Sequence, residues 1–334
     1  MISESSKRLP YLDVMKAFGI FLVVFQHIFS NIPTSFWITS FHMPLFFFAA
    51  GMTYHSKPVG EYCKNKFRTI LIPFYVFGVF TALYGLLLER PFRSLDFTTA
   101  DCLMGLLTGE YQYLNFNVVL WFLPAYFTTL VLFNILCRFK GYPFAYLISA
   151  LLFVLTKFVE IPDLFYGLNK TCYFMIMVSF GHYFANSEFC GSIVSTNNRK
   201  HYIFLTVLFL LISVAASRIK TNPIKEIFSA FIPLSGIFAL LFLSLLLENV
   251  RILQYIGKNT LAIFAFHGPV YRGLIGVICS VTGLESGYIR SFLLPSLLFS
   301  LITIFLCSVI QSVLSRYAPW MLGRFCSEKD RSGE

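Results

Sequence analysis

Four ionisable residues near the N-terminus stand out by type and spacing: Asp13, Lys16, His27 and His42. Lys16 and His27 are eleven positions apart, close to three helical turns, so on a helix both fall on one stripe, about 16 Å apart along the axis. Asp13 precedes Lys16 by three positions, the spacing at which a carboxylate and an ammonium pair on a helix face. An imidazole titrates at about pH 6.5 and so can take a proton from a hydroxyl or return it. His42 lies in Ser40-Phe41-His42-Met43-Pro44-Leu45-Phe46-Phe47-Phe48, where Pro44 is expected to kink the chain and free a carbonyl beside the imidazole. The bland alternative is an Asp13–Lys16 pair snorkelling to a membrane surface and two histidines that merely pack. Metal binding lacks an evident third ligand nearby.

The elements that must position these residues are apolar helices. Hydrophobic residues make up 57% of the 334 positions and charged residues only 13%, too few to coat a soluble protein of this length. The spacing predicts an all-α, polytopic membrane protein with about ten transmembrane helices: 11–30, 36–55, 69–88, 118–137, 143–158, 171–186, 202–219, 229–248, 260–281 and 292–314. His27 and His42 then arrive at similar depth on the first two helices, which run antiparallel across a short loop. The first span carries charge and no small-residue cleavage site, so it reads as a retained helix and not a signal peptide.

The net charge of +10 does not point to nucleic acid, because the basic residues are scattered through short loops. Lys57, Lys64, Lys66, Arg68, Arg138, Lys140, Arg199, Lys200, Arg251 and Lys258 fall on the side shared with both termini. Arg90, Arg93, Lys170, Arg218, Lys220, Lys225 and Arg290 fall opposite, so both termini are expected in the cytoplasm. The domain organisation follows: a cytoplasmic segment 1–10, a transmembrane domain 11–314 and a cytoplasmic tail 315–334. His55, His182 and His201 read as interfacial, and the eight cysteines, which lack metal-type spacing, as small apolar residues.

These residues resemble the acyltransferase family 3 membrane proteins, in particular the fucose-acetylase-like and exopolysaccharide acetyltransferase branch. The resemblance rests on Arg8-Leu9-Pro10-Tyr11-Leu12-Asp13, on Lys16 and His27 with ten residues between them, and on the Phe41-His42-Met43-Pro44 block followed by Gly51. The first of the paired positions is often Arg in the family; Lys16 keeps the charge but loses the bidentate fork. Weaker likenesses are Arg68 to Pro73, Trp121-Phe122-Leu123-Pro124, and Ile256-Gly257-Lys258-Asn259-Thr260-Leu261 leading to His267. Some relatives carry a fused esterase-like domain, whereas this chain looks like a stand-alone member.

The resemblance implies an acyl-CoA donor, acetyl-CoA, reaching the protein from the cytoplasm, and an acceptor hydroxyl on a glycan or lipid-linked sugar. It implies a bacterial inner membrane location and no metal or nucleic-acid partner. The catalytic set would be His27 as general base or transient acyl carrier, Lys16 oriented by Asp13, and His42 at the acceptor end. Lys64 and Arg68 would meet the CoA phosphates, although the positive-inside bias alone also explains that loop. Trp121, His267 and Arg272 would contact substrate; Trp121 also reads as an interfacial belt residue. A mid-helix Arg272 requires a partner or water. A transporter or flippase of a glycan or small anion is the competing class, but the inverted repeats and paired broken helices common there are not evident. A scaffold would not need three ionisable groups on one stripe.

Overall fold

The structure is a computed structural model describing residues 9–89, 97–196, 198–218 and 229–325. Residues 1–8 of the expected N-terminal segment and 326–334 of the expected tail lie outside the described residues. Among the described residues all regular structure is helical, the arrangement that satisfies backbone groups within each segment when water is excluded.

In chain order the α-helices are α1 (Pro10–Ile28), α2 (Ile32–Thr39), α3 (His42–Met52), α4 (Val59–Lys66), α5 (Ile72–Tyr84), α6 (Thr99–Thr108), α7 (Phe122–Phe158), α8 (Leu168–Ala185), α9 (Glu188–Ser195) and α10 (Arg199–Arg218). They continue with α11 (Phe231–Leu246), α12 (Arg251–Lys258), α13 (Thr260–Thr282), α14 (Ser286–Ser291) and α15 (Leu293–Tyr317). Two π-helical turns, Phe67–Leu71 and Gly85–Glu89, flank α5. Among the described residues six runs are long and apolar enough to cross a bilayer: Pro10–Ile28, Val59–Glu89, Val118–Phe158, Arg199–Arg218, Thr260–Thr282 and Leu293–Tyr317. Helix α7 carries non-helical backbone at Lys140 and Gly141, so its length is two helices meeting at a turn, as the separate segments 118–137 and 143–158 anticipate. The predicted segment 36–55 is instead two short helices, α2 and α3.

The chain forms two compact units. The first holds Met1–Thr53, Phe180–Thr260 and Ile275–Ile304. Within it α1 packs against α3, α11 and α12, and α10 against α11. Gly257 of α12 fits where no other residue can: a Cβ there would lie 1.7 Å from the backbone oxygen of Asp13. The second unit holds Tyr54–Ser179, Leu261–Leu274 and Phe305–Glu334. Within it the buried Asn134 amide fixes the short connection that leads into α4. Its Oδ1 accepts from the Tyr54 hydroxyl at 2.8 Å and the Lys57 N–H at 3.2 Å, and its Nδ2 donates to the Lys57 carbonyl at 3.1 Å. A fully satisfied buried amide rigidifies what it joins.

Candidate active site

In the first unit, α1 begins with Pro10 in its first turn, where a missing N–H costs nothing. Asp13 is buried, and its Oδ1 accepts from Lys16 Nζ at 2.8 Å, so the expected pair forms one turn into the helix. Lys16 keeps 32% of its side-chain surface accessible. His27, half-buried, sits one residue before the helix ends. That end is held from two sides. Phe25 and Phe29 pack with Ile38, Trp37 and Leu297. Arg290 donates from Nε to the Ile28 carbonyl at 3.1 Å and from Nη2 to the His27 carbonyl at 3.3 Å, and its own carbonyl accepts from the Ser30 N–H at 2.9 Å. A guanidinium on the last carbonyls of a helix satisfies groups that have no intrahelical donor.

The chain turns over Phe29, Ser30 and Asn31, and the Asn31 side chain caps α2 by accepting from the Thr34 N–H at 3.0 Å. Helix α2 stops at Thr39 and α3 starts at His42. Pro44 is therefore not the kink: it occupies the first turn of α3, and the break lies upstream, where Phe41 leaves helical geometry. The carbonyl that meets His42 is that of Ile38, 2.8 Å from Nδ1. A carbonyl can only accept, so Nδ1 carries the proton and Nε2 the lone pair. His42 is 4% exposed, and the His27 imidazole lies within electrostatic range of it. Asp13, Lys16, His27 and His42 thus share one unit, and the His42 tautomer leaves the lone pair on Nε2.

The remaining predicted residues belong to the second unit. Lys64 and Arg68 are exposed, and the Arg68 guanidinium lies 5.6 Å over the Phe325 ring. The expected loop is instead helical: Lys64 stands in α4 and Arg68 in the π-helical turn Phe67–Leu71, both within the continuous run Val59–Glu89. His267 is fully buried and donates from Nδ1 to the Phe264 carbonyl at 2.8 Å, which again leaves the lone pair on Nε2. Arg272 binds Glu89 through both forks, Nε to Oε1 at 2.6 Å and Nη2 to Oε2 at 3.1 Å. The π-helical turn Gly85–Glu89 brings that carboxylate round. Buried Asn117 lies near Arg272 across Gly268 and donates to the Ala265 carbonyl at 2.9 Å. Trp121 is half-buried, stacked on Phe174 with ring centres 6.1 Å apart. Of the histidines expected to be interfacial, His55 and His201 are exposed but His182 is buried.

Sequence reasoning gave Arg290 only a place among the basic loop residues and Gly257 only a place in a weak motif, and it missed Asn134 and Glu89; the partners of all four are far away along the chain. Among the described residues no group of three or more His, Cys, Asp or Glu converges to hold a metal. A family model described as an acyltransferase domain matches residues 9–312. Neither a curated protein nor a solved structure matches the chain.

Proposed function

The chain belongs to acyltransferase family 3, and on that premise we propose that this membrane acyltransferase moves an acetyl group from acetyl-CoA to a hydroxyl of a cell-surface glycan or lipid-linked sugar. The reading carries one reaction in balance. The acceptor hydroxyl loses its proton to an imidazole as its oxygen attacks the thioester carbonyl. The carbon–sulfur bond then breaks, and the CoA thiolate leaves as the thiol on taking that proton. His27 is the base, and His42 Nε2 accepts from a neighbouring hydroxyl of the acceptor sugar and so orients the ring. Lys16, steadied by Asp13, supplies positive charge for the oxyanion or the donor. Lys64 and Arg68, exposed on one helical run, suit the CoA phosphates. Trp121 suits the flat face of a sugar ring. His267 and Arg272 of the second unit would contact the substrate, with the Glu89 fork holding the Arg272 guanidinium in place.

The single observation that carries the proposal is the constellation in the first unit. A buried carboxylate holds a lysine, the same helix ends in a histidine, and the same unit holds a second histidine of fixed tautomer. A transporter would need charges along a path but not a ring nitrogen whose lone pair is fixed by a hydrogen bond to a backbone carbonyl. The test is an NMR comparison of surface glycans from cells with and without the gene. O-acetyl signals present only with the gene support the proposal; identical acylation together with lost glycan export favours transport.

A further inference from the structure

At one end of the second unit lies a cleft of about 390 Å³ lined by Trp121, Glu160, Asn169, Lys170, Tyr173 and Phe174. That volume is in the range of about 300–1,000 Å³ typical of small-ligand sites. Trp121 precedes α7, Glu160 follows its far end, and the others occupy the first turns of α8. All belong to the end opposite the turn at Lys140–Gly141, which is the outer face in the orientation that the basic loops predict.

The polar groups here are held in place. Lys170 Nζ lies 2.8 Å from Asp163 Oδ1 and 5.4 Å above the Trp121 ring. Asn169 Nδ2 donates to Asp163 Oδ1 at 2.9 Å. The loop below is locked as well. Tyr166 adopts left-handed backbone, φ 54, and its carbonyl accepts from the Thr128 hydroxyl at 2.9 Å. Gly167, also left-handed, lies so close to Ala125 that a Cβ would come within 2.5 Å of it. Strained backbone held this firmly clusters at ligand sites, and fixed side chains lower the entropy cost of binding.

We infer that this cleft is a saccharide subsite that grips a ring of the acceptor glycan, with the aromatic platform against C–H faces and Glu160, Asn169 and Lys170 bonding hydroxyls. The inference rests on the glycan reading above. The charged groups here are Glu160 and the Asp163–Lys170 pair, a net negative balance that suits a polyhydroxyl ring better than a phosphate headgroup.

The test measures binding without any acyl donor. Oligosaccharides are cut from the surface glycan of gene-deleted cells, labelled fluorescently and titrated against the full-length protein in nanodiscs. Trp121→Ala and Glu160→Gln should each weaken binding tenfold or more; Glu160 is exposed, so its variant folds even if the tryptophan variant does not. Binding unchanged in both variants, or no binding to wild type, overturns the inference. So does displacement of the oligosaccharide by vesicles of anionic phospholipid in a Lys170-dependent way. Cleft binding with no labelled acetyl reaching glycan would sink the acyl-transfer reading and leave the subsite standing.

Discussion

At the scale of single residues, His42 separates structural from chemical roles. Its Nδ1 holds the Ile38 carbonyl across the α2–α3 break, while its Nε2 is left to orient the proposed acceptor. An asparagine places an amide N–H where Nδ1 was but has nothing at Nε2. His42→Asn is therefore expected to keep the thermal stability of the purified protein and lose acyl transfer. His42→Ala is expected to lose both, with about 1 kcal/mol of stability gone with the hydrogen bond. Equal activity in His42→Asn and wild type would remove His42 from the chemistry. Asp163 makes a pH prediction outside the membrane helices. Donation from Lys170, then from Asn169, holds its carboxyl below the ordinary value of 3.8. A depressed acid contributes stability above the unfolded value and loses it as pH falls through the folded one. The Trp121 environment should thus stay constant down to about pH 4 and change below it, a change that Asp163→Asn removes, as followed by tryptophan emission.

At the scale of elements, the site depends on how α1 is gripped. Gly257→Ala drives a methyl into the Asp13 carbonyl and must push α12 away from α1. The expected result is a stability loss of roughly 1–3 kcal/mol with weakened activity, read from thermal unfolding in detergent and transfer assays side by side. Arg290→Gln removes the charged donors from the carbonyls of His27 and Ile28. Turnover should fall more than donor affinity does, with partial recovery in Arg290→Lys; a KM change with unchanged turnover would speak against the clamp. These contacts also mark what the sequence could and could not disclose. The apolar runs, the Asp13–Lys16 pair and the stripe leading to His27 were legible because each depends on neighbours within a few turns. The break at Phe41 was misplaced onto Pro44, since a proline in a helix's first turn breaks nothing. Helix α6 was legible but overlooked: Thr98 and Asp101 form a reciprocal cap at its start. The Arg272–Glu89 fork joins residues 183 positions apart and needs a π-helical turn, a signal no local pattern carries.

At the scale of the whole molecule, the account is a membrane acyltransferase whose first unit carries His27 and His42 and whose second carries His267, the exposed Lys64 and Arg68, and the cleft at Trp121. The expected cytoplasmic placement of the basic loops is checked by labelling single cysteines at Lys64 and Glu160 with an impermeant reagent; the account expects reaction at Glu160 and protection at Lys64 in intact cells. The central claim, that His27 takes the acceptor's proton, has its most direct test in inverted vesicles from gene-deleted cells that carry wild-type protein or His27→Ala at matched levels. Given acetyl-CoA labelled in the acetyl group, wild-type vesicles should build alkali-labile label into glycan, and the variant should fall by about 10²-fold or more. Equal label in the two would contradict the account.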